Sequence, residues 1–378
     1  MLFTGKVGAL RPRTILKGTD GQPMNADEIQ GMLVGPVYGV SIRATERFFH
    51  PNGQWLENEN IHELIHGPHW RKLMQQSGMD PNYQKAKHGF CCRYWTHIPG
   101  TNLRKEETNA ADLMEGAARK ALEKSGLSPD EISLVISVST TSPRYTSSLG
   151  TILCGRLGIR APAFEMKSGC SSAIYALITA FQFLNSGMAN NVLIMAGETL
   201  SKVLDPEGPL IYAAGDGGAA IILGRSNAAE SGLISGFMDS DGSLSGAMGV
   251  PGLLPPMREE LEAKRYYLEQ TSQLGSQVLD YWTRSPAALY KHSGLTGDDV
   301  DLYIPHQVSK EILDFTQENA GISADRMIRC IERYGNCGSA TVLIALSEAM
   351  ESSRMKHGVL MLHAVGGGLA WAGVLIRI

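Results

Sequence analysis

A cysteine at position 170 sits in the stretch FEMKSGCSSAIYALITA, residues 164–180. A short run ending at Lys167 passes through Ser168 and Gly169 into an apolar helical pattern, so the spacing predicts strand, tight turn and helix with the thiol at the turn. The first turn of a helix carries unpaired N–H groups and a partial positive charge, which favour thiolate over thiol. Gly169 lets the chain bend sharply and a ligand come close. A thiolate so placed is a nucleophile; a small residue packed under the helix is the competing reading, since free cysteine is often buried.

His306 in YIPHQVSKE and Asn336 in RYGNCGSATVLIAL stand at the same kind of point, at or just before the start of a helical pattern. In open α/β sheets ligands bind at that edge. Separations of 136 and 30 residues leave it to the fold to unite Cys170, His306 and Asn336. Gly366, Gly367 and Gly368 form bare backbone able to aim N–H groups at an oxyanion. Taken singly, His306 also reads as a helix cap, and Asn336 after Gly335 as a turn residue.

His62 and His66 fit HExxH, the zinc-protease pattern of two imidazoles one helical turn apart. Gly67 and Pro68 end the helix at once, and no third ligand of the kind a catalytic zinc needs follows. Solvated or capping histidines are the preferred reading, and no metal is expected.

The elements that must carry these residues come next. With 378 residues, 43% hydrophobic and 19% charged, the chain can build two cored units and is not disordered. A net charge of −4 gives no support for nucleic-acid binding. No apolar run approaches the roughly 20 residues that span a bilayer, and MLFTGKVGALRPR lacks the apolar core of a signal peptide. Six scattered cysteines without CxxC spacing fit a reduced, cytoplasmic setting. The first 36 residues read as a loop or hairpin extension, with residues 37–42 as the first strand. From residue 109 the pattern is regular: helix 109–125, strand 134–139, helix 151–157, strand 163–166, the Cys170 helix, and strands 191–196 and 217–223. Alternating strands and helices mean βαβ units, hence an α/β fold with a mostly parallel sheet. A second, similar order follows residue 225: strand 232–236, a long helix 257–284 and another from Pro286, strand 301–304, helices 310–320 and 340–350, and closing strands 358–364 and 371–376. The expected halves are residues 1–225 and 226–378.

SGCSSAIYAL, IPHQ, RYGNCGSA and AVGGGLAWAG, in that order, together resemble the thiolase-fold condensing enzymes, specifically the β-ketoacyl-ACP synthase III group. AGDGGAAIIL at 214–223 and LDPEG at 204–208 support the likeness, which covers residues 83–225 and 298–378. Thiolases carry a second cysteine where Ala364 and Val365 stand, elongating synthases have a second histidine where Asn336 stands, and plant-type polyketide synthases end in GFGPG. The resemblance implies a five-layered αβαβα thiolase fold of two related halves, a homodimer, and a Cys170–His306–Asn336 catalytic set. In that family the cysteine accepts an acyl group and a malonyl-type or β-ketoacyl thioester condenses with it. Cys170 and Gly367 would supply the oxyanion hole, and His306 and Asn336 would donate to the thioester oxygen of the incoming donor. Acyl-CoA or acyl-carrier-protein thioesters are the implied substrates and partners, with no cofactor.

Tyr83 and Lys87 stand in the segment the family uses for the CoA adenine, Lys202 where an arginine is common, and Ser309 in the stretch after the histidine. Glu311 replaces a family arginine, which weakens attraction to an acidic carrier. Residues 144–146 are expected to line the partner's acyl tunnel. These departures point to specialised fatty-acid-derived or polyketide metabolism. Three alternatives stay open: acyl transfer to an alcohol or amine, condensation of two acyl chains with Glu198 as base, and a non-catalytic partner in a heterodimeric synthase.

Overall fold

A computed structural model describes residues 31–144, 146–271 and 278–378. Its elements run β1 (Met32–Val34), β2 (Val37–Tyr38), β3 (Val40–Phe48), β4 (Gln54–Glu57), α1 (Asn58–His66), α2 (Trp70–Ser77), β5 (Cys92–Trp95), α3 (Ala110–Ser125), β6 (Leu134–Val138), α4 (Leu149–Leu157), β7 (Ala163–Met166), α5 (Ser172–Asn185), β8 (Asn191–Thr199) and β9 (Asp216–Arg225). There follow β10 (Gly232–Ser240), β11 (Met248–Gly249), α6 (Arg258–Glu262), β12 (Glu269–Gln270), α7 (Val278–Ser293), β13 (Leu302–Pro305), α8 (Lys310–Asn319), α9 (Ile331–Tyr334), α10 (Thr341–Glu351), β14 (Val359–Gly366) and β15 (Ala370–Arg377).

Two mixed sheets result, ordered β3-β9-β8-β6-β7 and β1-β10-β15-β14-β13. In the first, β6 is parallel to β7 and β8; in the second, β13 is parallel to β14. A single parallel bridge, Tyr303 to Met327, stands beside β13 where β7 stands beside β6. The second sheet therefore repeats the strand order of the first, with its third strand reduced to one bridge.

Helices α5 and α10 pack between the sheets, α3 and α4 cover the outer face of the first, and α7 backed by α8 covers the second. That is five layers, αβαβα, the thiolase architecture. The middle layer follows from sequence: α5 buries Ala173, Ile174, Ala176, Leu177, Ile178, Ala180 and Phe181, so it is apolar nearly all round. Its alanines let a sheet approach from either side. Helix α3 instead presents one apolar face; Asn109 caps it by accepting from the Ala111 N–H, and Gly126 ends it at φ 70°.

Two stretches depart from expectation. Residues 32–38 lie on β10 as β1 and β2, so they extend the second sheet rather than forming a loop, while the first long strand starts at Val40. Residues 1–30 lie outside the described part of the chain. The long helix expected over 257–284 is interrupted: α6 covers five residues and β12 follows it, and among the described residues helix is found again only from Val278, where α7 begins. Lys264 turns the chain with φ 58°, Arg265 N–H bonds back to the Glu260 carbonyl, and Leu268 N–H is drawn across to the Val203 carbonyl. Pro286, expected to open a helix, lies inside α7.

Candidate active site

The turn that carries Cys170 is held by its neighbours' side chains. Ser168 N–H donates to Ser172 Oγ (2.8 Å), Ser171 Oγ to the Ser168 carbonyl (2.6 Å) and Ser172 Oγ to the Gly169 carbonyl (2.6 Å). Gly169 has φ 58°, and a Cβ there would lie 2.4 Å from the Gly367 carbonyl oxygen. A Cβ on Gly366 would in turn lie 2.3 Å from the Cys170 nitrogen. The two loops meet backbone on backbone, a contact only glycine allows.

His306 follows β13, and its N–H donates to the His363 carbonyl (2.7 Å). Its ring lies parallel to the indole of Trp282, with centroids 6.4 Å apart. Asn336 is fixed by its backbone, which donates to Ala213 O (2.7 Å) and accepts from Gly215 N (2.9 Å). Its Oδ1 accepts from Gly338 N–H (2.8 Å), which leaves the amide nitrogen as the free donor.

Cys170, His306, Asn336 and Gly367 border one cavity of about 690 Å³, with Trp282 and Phe90 in its wall. A second cavity of about 580 Å³ shares Cys170, Asn336 and Gly367 and extends past Leu200, Val203 and Leu268. The sulfur stands where two chambers join, and His306 faces only one of them.

Burial pushes the Cys170 thiol up to about 12; the charge of Glu198 adds to the rise, and the N–H groups of Cys170 and Gly367, both directed at the sulfur, oppose it. The resting cysteine is therefore a thiol, not the thiolate expected from the start of a helix: desolvation outweighs the helix field here. Burial likewise pushes His306 down to about 3, so its imidazole is neutral. His363 falls to about 3 through burial and then the nearby His306.

These two histidines set an acid sensitivity. Their folded values lie below the unfolded value of about 6.5, so the unfolded chain binds more protons once the pH drops under 6.5. Their contribution is complete above that pH and is lost as the pH falls toward 3. Together they should remove about 3 kcal/mol of stability between pH 7.5 and 5.5. Urea unfolding at the two values measures it; a change under about 1 kcal/mol contradicts neutral burial of the pair.

The remaining candidates fare differently. Ser309 borders the His306-side cavity and caps α8, its Oγ accepting from Ile312 N–H (3.4 Å). Tyr83 and Lys87 stand beside that cavity's Gln84 and His88 but do not line it; Lys87 Nζ donates to Tyr83 Oη (2.9 Å). Lys202 lines neither cavity and donates to the Thr108 carbonyl (2.6 Å), so it is committed to the fold. Glu198 takes donors from Ser139, Thr140, Thr141 and Ser339, which leaves no lone pair for a base.

His62 is neither solvated nor a cap. It is buried, with Nε2 3.0 Å from the Pro81 carbonyl and Nδ1 2.8 Å from Tyr212 Oη. No group of three or more His, Cys, Asp or Glu side chains among the described residues is placed to hold a metal ion. Trp282 and His363 were not foreseen: nothing in the sequence around either marks it, and only the packing gives it a neighbour of interest.

A family model described as 3-oxoacyl-[acyl-carrier-protein] synthase III matches residues 164–242, which hold Cys170. Its C-terminal companion matches residues 290–378, which hold His306, Asn336 and Gly367. β-Ketoacyl-[acyl-carrier-protein] synthase III of Sinorhizobium medicae is 31% identical over 280 residues, spanning 71% of this chain and 84% of that one. The chain belongs to the β-ketoacyl-acyl-carrier-protein synthase III family. It is accordingly a condensing acyltransferase. The synthase III crystal structure from Aquifex aeolicus, 26% identical, superposes with a TM-score of 0.76 over 90% of this chain and 100% of that one. The priming β-ketosynthase of the R1128 polyketide pathway, 22% identical, shares the fold with a TM-score of 0.75 over 92% of this chain and 99% of its own. No helix among the described residues of this synthase III relative is long and apolar enough to cross a membrane.

Proposed function

We propose that this chain loads an acyl group from a CoA or carrier-protein thioester onto Cys170 and condenses it, with loss of CO2, with a malonyl-type thioester. The Cys170 sulfur bonds to the acyl carbon, the departing thiol takes the proton, and the oxyanion between is held by the N–H groups of Cys170 and Gly367. In the second step the bond to the malonyl carboxylate breaks and CO2 leaves. Its electron pair becomes an enolate whose oxygen accepts from His306 Nε2–H and the Asn336 amide. The enolate carbon then bonds to the acyl carbon, and the sulfur leaves and is reprotonated by solvent. Gln84, His88 and Ser309 would meet the thioester's carrier arm, with Tyr83 and Lys87 beyond them.

The observation that supports this most is a neutral imidazole and a free amide donor sharing one cavity with the sulfur. An imidazole pushed down to about 3 is a weak general base, which disfavours transfer to an alcohol or amine. The carboxylate of Glu198 is already saturated, which disfavours condensation without decarboxylation. In this proposal residues 1–225 and 226–378 act as halves of one catalytic unit, which works as a cytoplasmic homodimer without a cofactor.

Acyl and malonyl thioesters supplied together should yield a Cys170 adduct by intact mass and CO2 in step with product. His306→Ala and Asn336→Ala should each cut CO2 release by about 10²–10³ while acyl loading persists. Acyl-Cys170 that turns over onto an alcohol or amine with no CO2 would sink the proposal.

A further inference from the structure

A second buried histidine lies beside His306 and takes no part in the chemistry above. Along β14, Leu360, Leu362 and Ala364 belong to the layer between the sheets, whereas Met361 and Val365 belong to the cluster under α7. By that alternation His363 faces α7. It meets the Trp282 ring edge-on, centroids 5.2 Å apart at 81°, so one indole borders both imidazoles. His363 Nδ1 is 3.1 Å from Tyr303 Oη, and Tyr303 Oη is 2.9 Å from Thr316 Oγ1.

Beyond this point the partners stop. His363 Nε2, His306 Nδ1 and Ser285 Oγ are all buried with no hydrogen-bond partner among the described residues. Ser285 belongs to the same place: its Cβ would stand 3.1 Å from a side chain on Gly373, the residue paired with His363 across β14 and β15. Native interiors leave few such groups, and these three, grouped around Trp282 and the His363–Gly373 pair, call for a common explanation.

We propose that His363 is a positioning residue for His306: its Nε2–H completes a hydrogen bond to His306 Nδ1, directly or through one buried water shared with Ser285, and so keeps the His306 proton on Nε2. This rests on His306 acting as a donor to the thioester oxygen. Either hydroxyl can donate in the Tyr303–Thr316 pair; in the proposed arrangement Thr316 donates to Tyr303 and Tyr303 to His363 Nδ1, which puts the His363 proton on Nε2. His306 Nδ1 accepts it and carries no proton of its own. The cavity-facing Nε2 is then N–H, as enolate stabilisation requires. The opposite tautomer would turn a lone pair on the substrate oxygen.

The ¹⁵N spectrum of the full chain labelled at histidine, with His306 assigned by the signal lost in His306→Gln, reads the tautomer at neutral pH. We expect Nε2–H; Nδ1–H in the parent protein overturns the proposal. His363→Phe should mix the tautomers and lower CO2 release at saturating malonyl thioester by about 10-fold or more, in kcat rather than KM, with Cys170 loading unchanged within about twofold. His363→Gln, whose amide can donate, should recover part of the loss. CO2 release within twofold of the parent in His363→Phe overturns the proposal. Should that variant not fold, Tyr303→Phe, which keeps the bulk and removes the donor to Nδ1, gives the same two outcomes. Unchanged CO2 release in His306→Ala would instead remove the donor role of His306, a separate failure.

Discussion

Cys170→Ala should abolish the acyl adduct and lower condensation by at least about 10⁴-fold, since a nucleophile has no substitute among the groups that bind and polarise the substrate. Intact mass after exposure to an acyl thioester and single-turnover product formation measure it. The other cysteines offer no detour: Cys154, Cys330 and Cys337 are buried, and Cys91 and Cys92 border a different cavity. An adduct that survives the substitution would contradict the assignment. The raised thiol value adds a second reading of the parent protein. Because burial disfavours the thiolate, alkylation of Cys170 by iodoacetamide should keep accelerating through pH 9 rather than level off near neutrality.

Glu198→Leu should cost at least about 4 kcal/mol, the largest stability loss expected of any single change near the site. The carboxylate, fully buried on β8, accepts from Thr140 N (2.9 Å), Thr140 Oγ1 (3.0 Å), Thr141 N (3.0 Å) and Thr141 Oγ1 (2.6 Å), and from Ser339 across the inter-sheet layer. Leucine would strand those donors without water, and each buried orphan costs about 1–3 kcal/mol. Glu198→Gln keeps one oxygen and should lose less. It should also bring the Cys170 thiol down, since the negative charge at 198 contributes to its rise. Urea unfolding of both variants decides the matter; a Leu variant within about 1 kcal/mol of the parent would show the network carries no load.

The site was more legible in the sequence than its surroundings. Cys170, His306 and Asn336 each sit where an element begins or ends, and such points carry marked residues: Gly169, Pro305 and Gly335. Helices α3 and α5 were readable because one has an amphipathic stripe with a cap at each end and the other has no polar face. The stretch 245–271 was not readable, because its turn at Lys264 uses no glycine and its route is set by a bond to Val203 some 60 residues away, outside any local window. Lys202 was misjudged for a related reason: a cation in a substrate-binding position and one tied to the Thr108 carbonyl look alike in sequence. The state of the thiol was missed because helix position is local, whereas desolvation depends on everything folded around the sulfur.

The contact of Gly169 with Gly366 and Gly367 has a consequence for assembly. In the proposed mechanism one oxyanion donor, the Cys170 N–H, comes from the loop of the first sheet and the other, the Gly367 N–H, from the loop of the second, so neither sheet would own a complete hole. Catalytic competence is therefore a reporter of docking. A substitution that slides one layer past the other by an ångström, however far from the sulfur, should silence the chemistry before the protein unfolds.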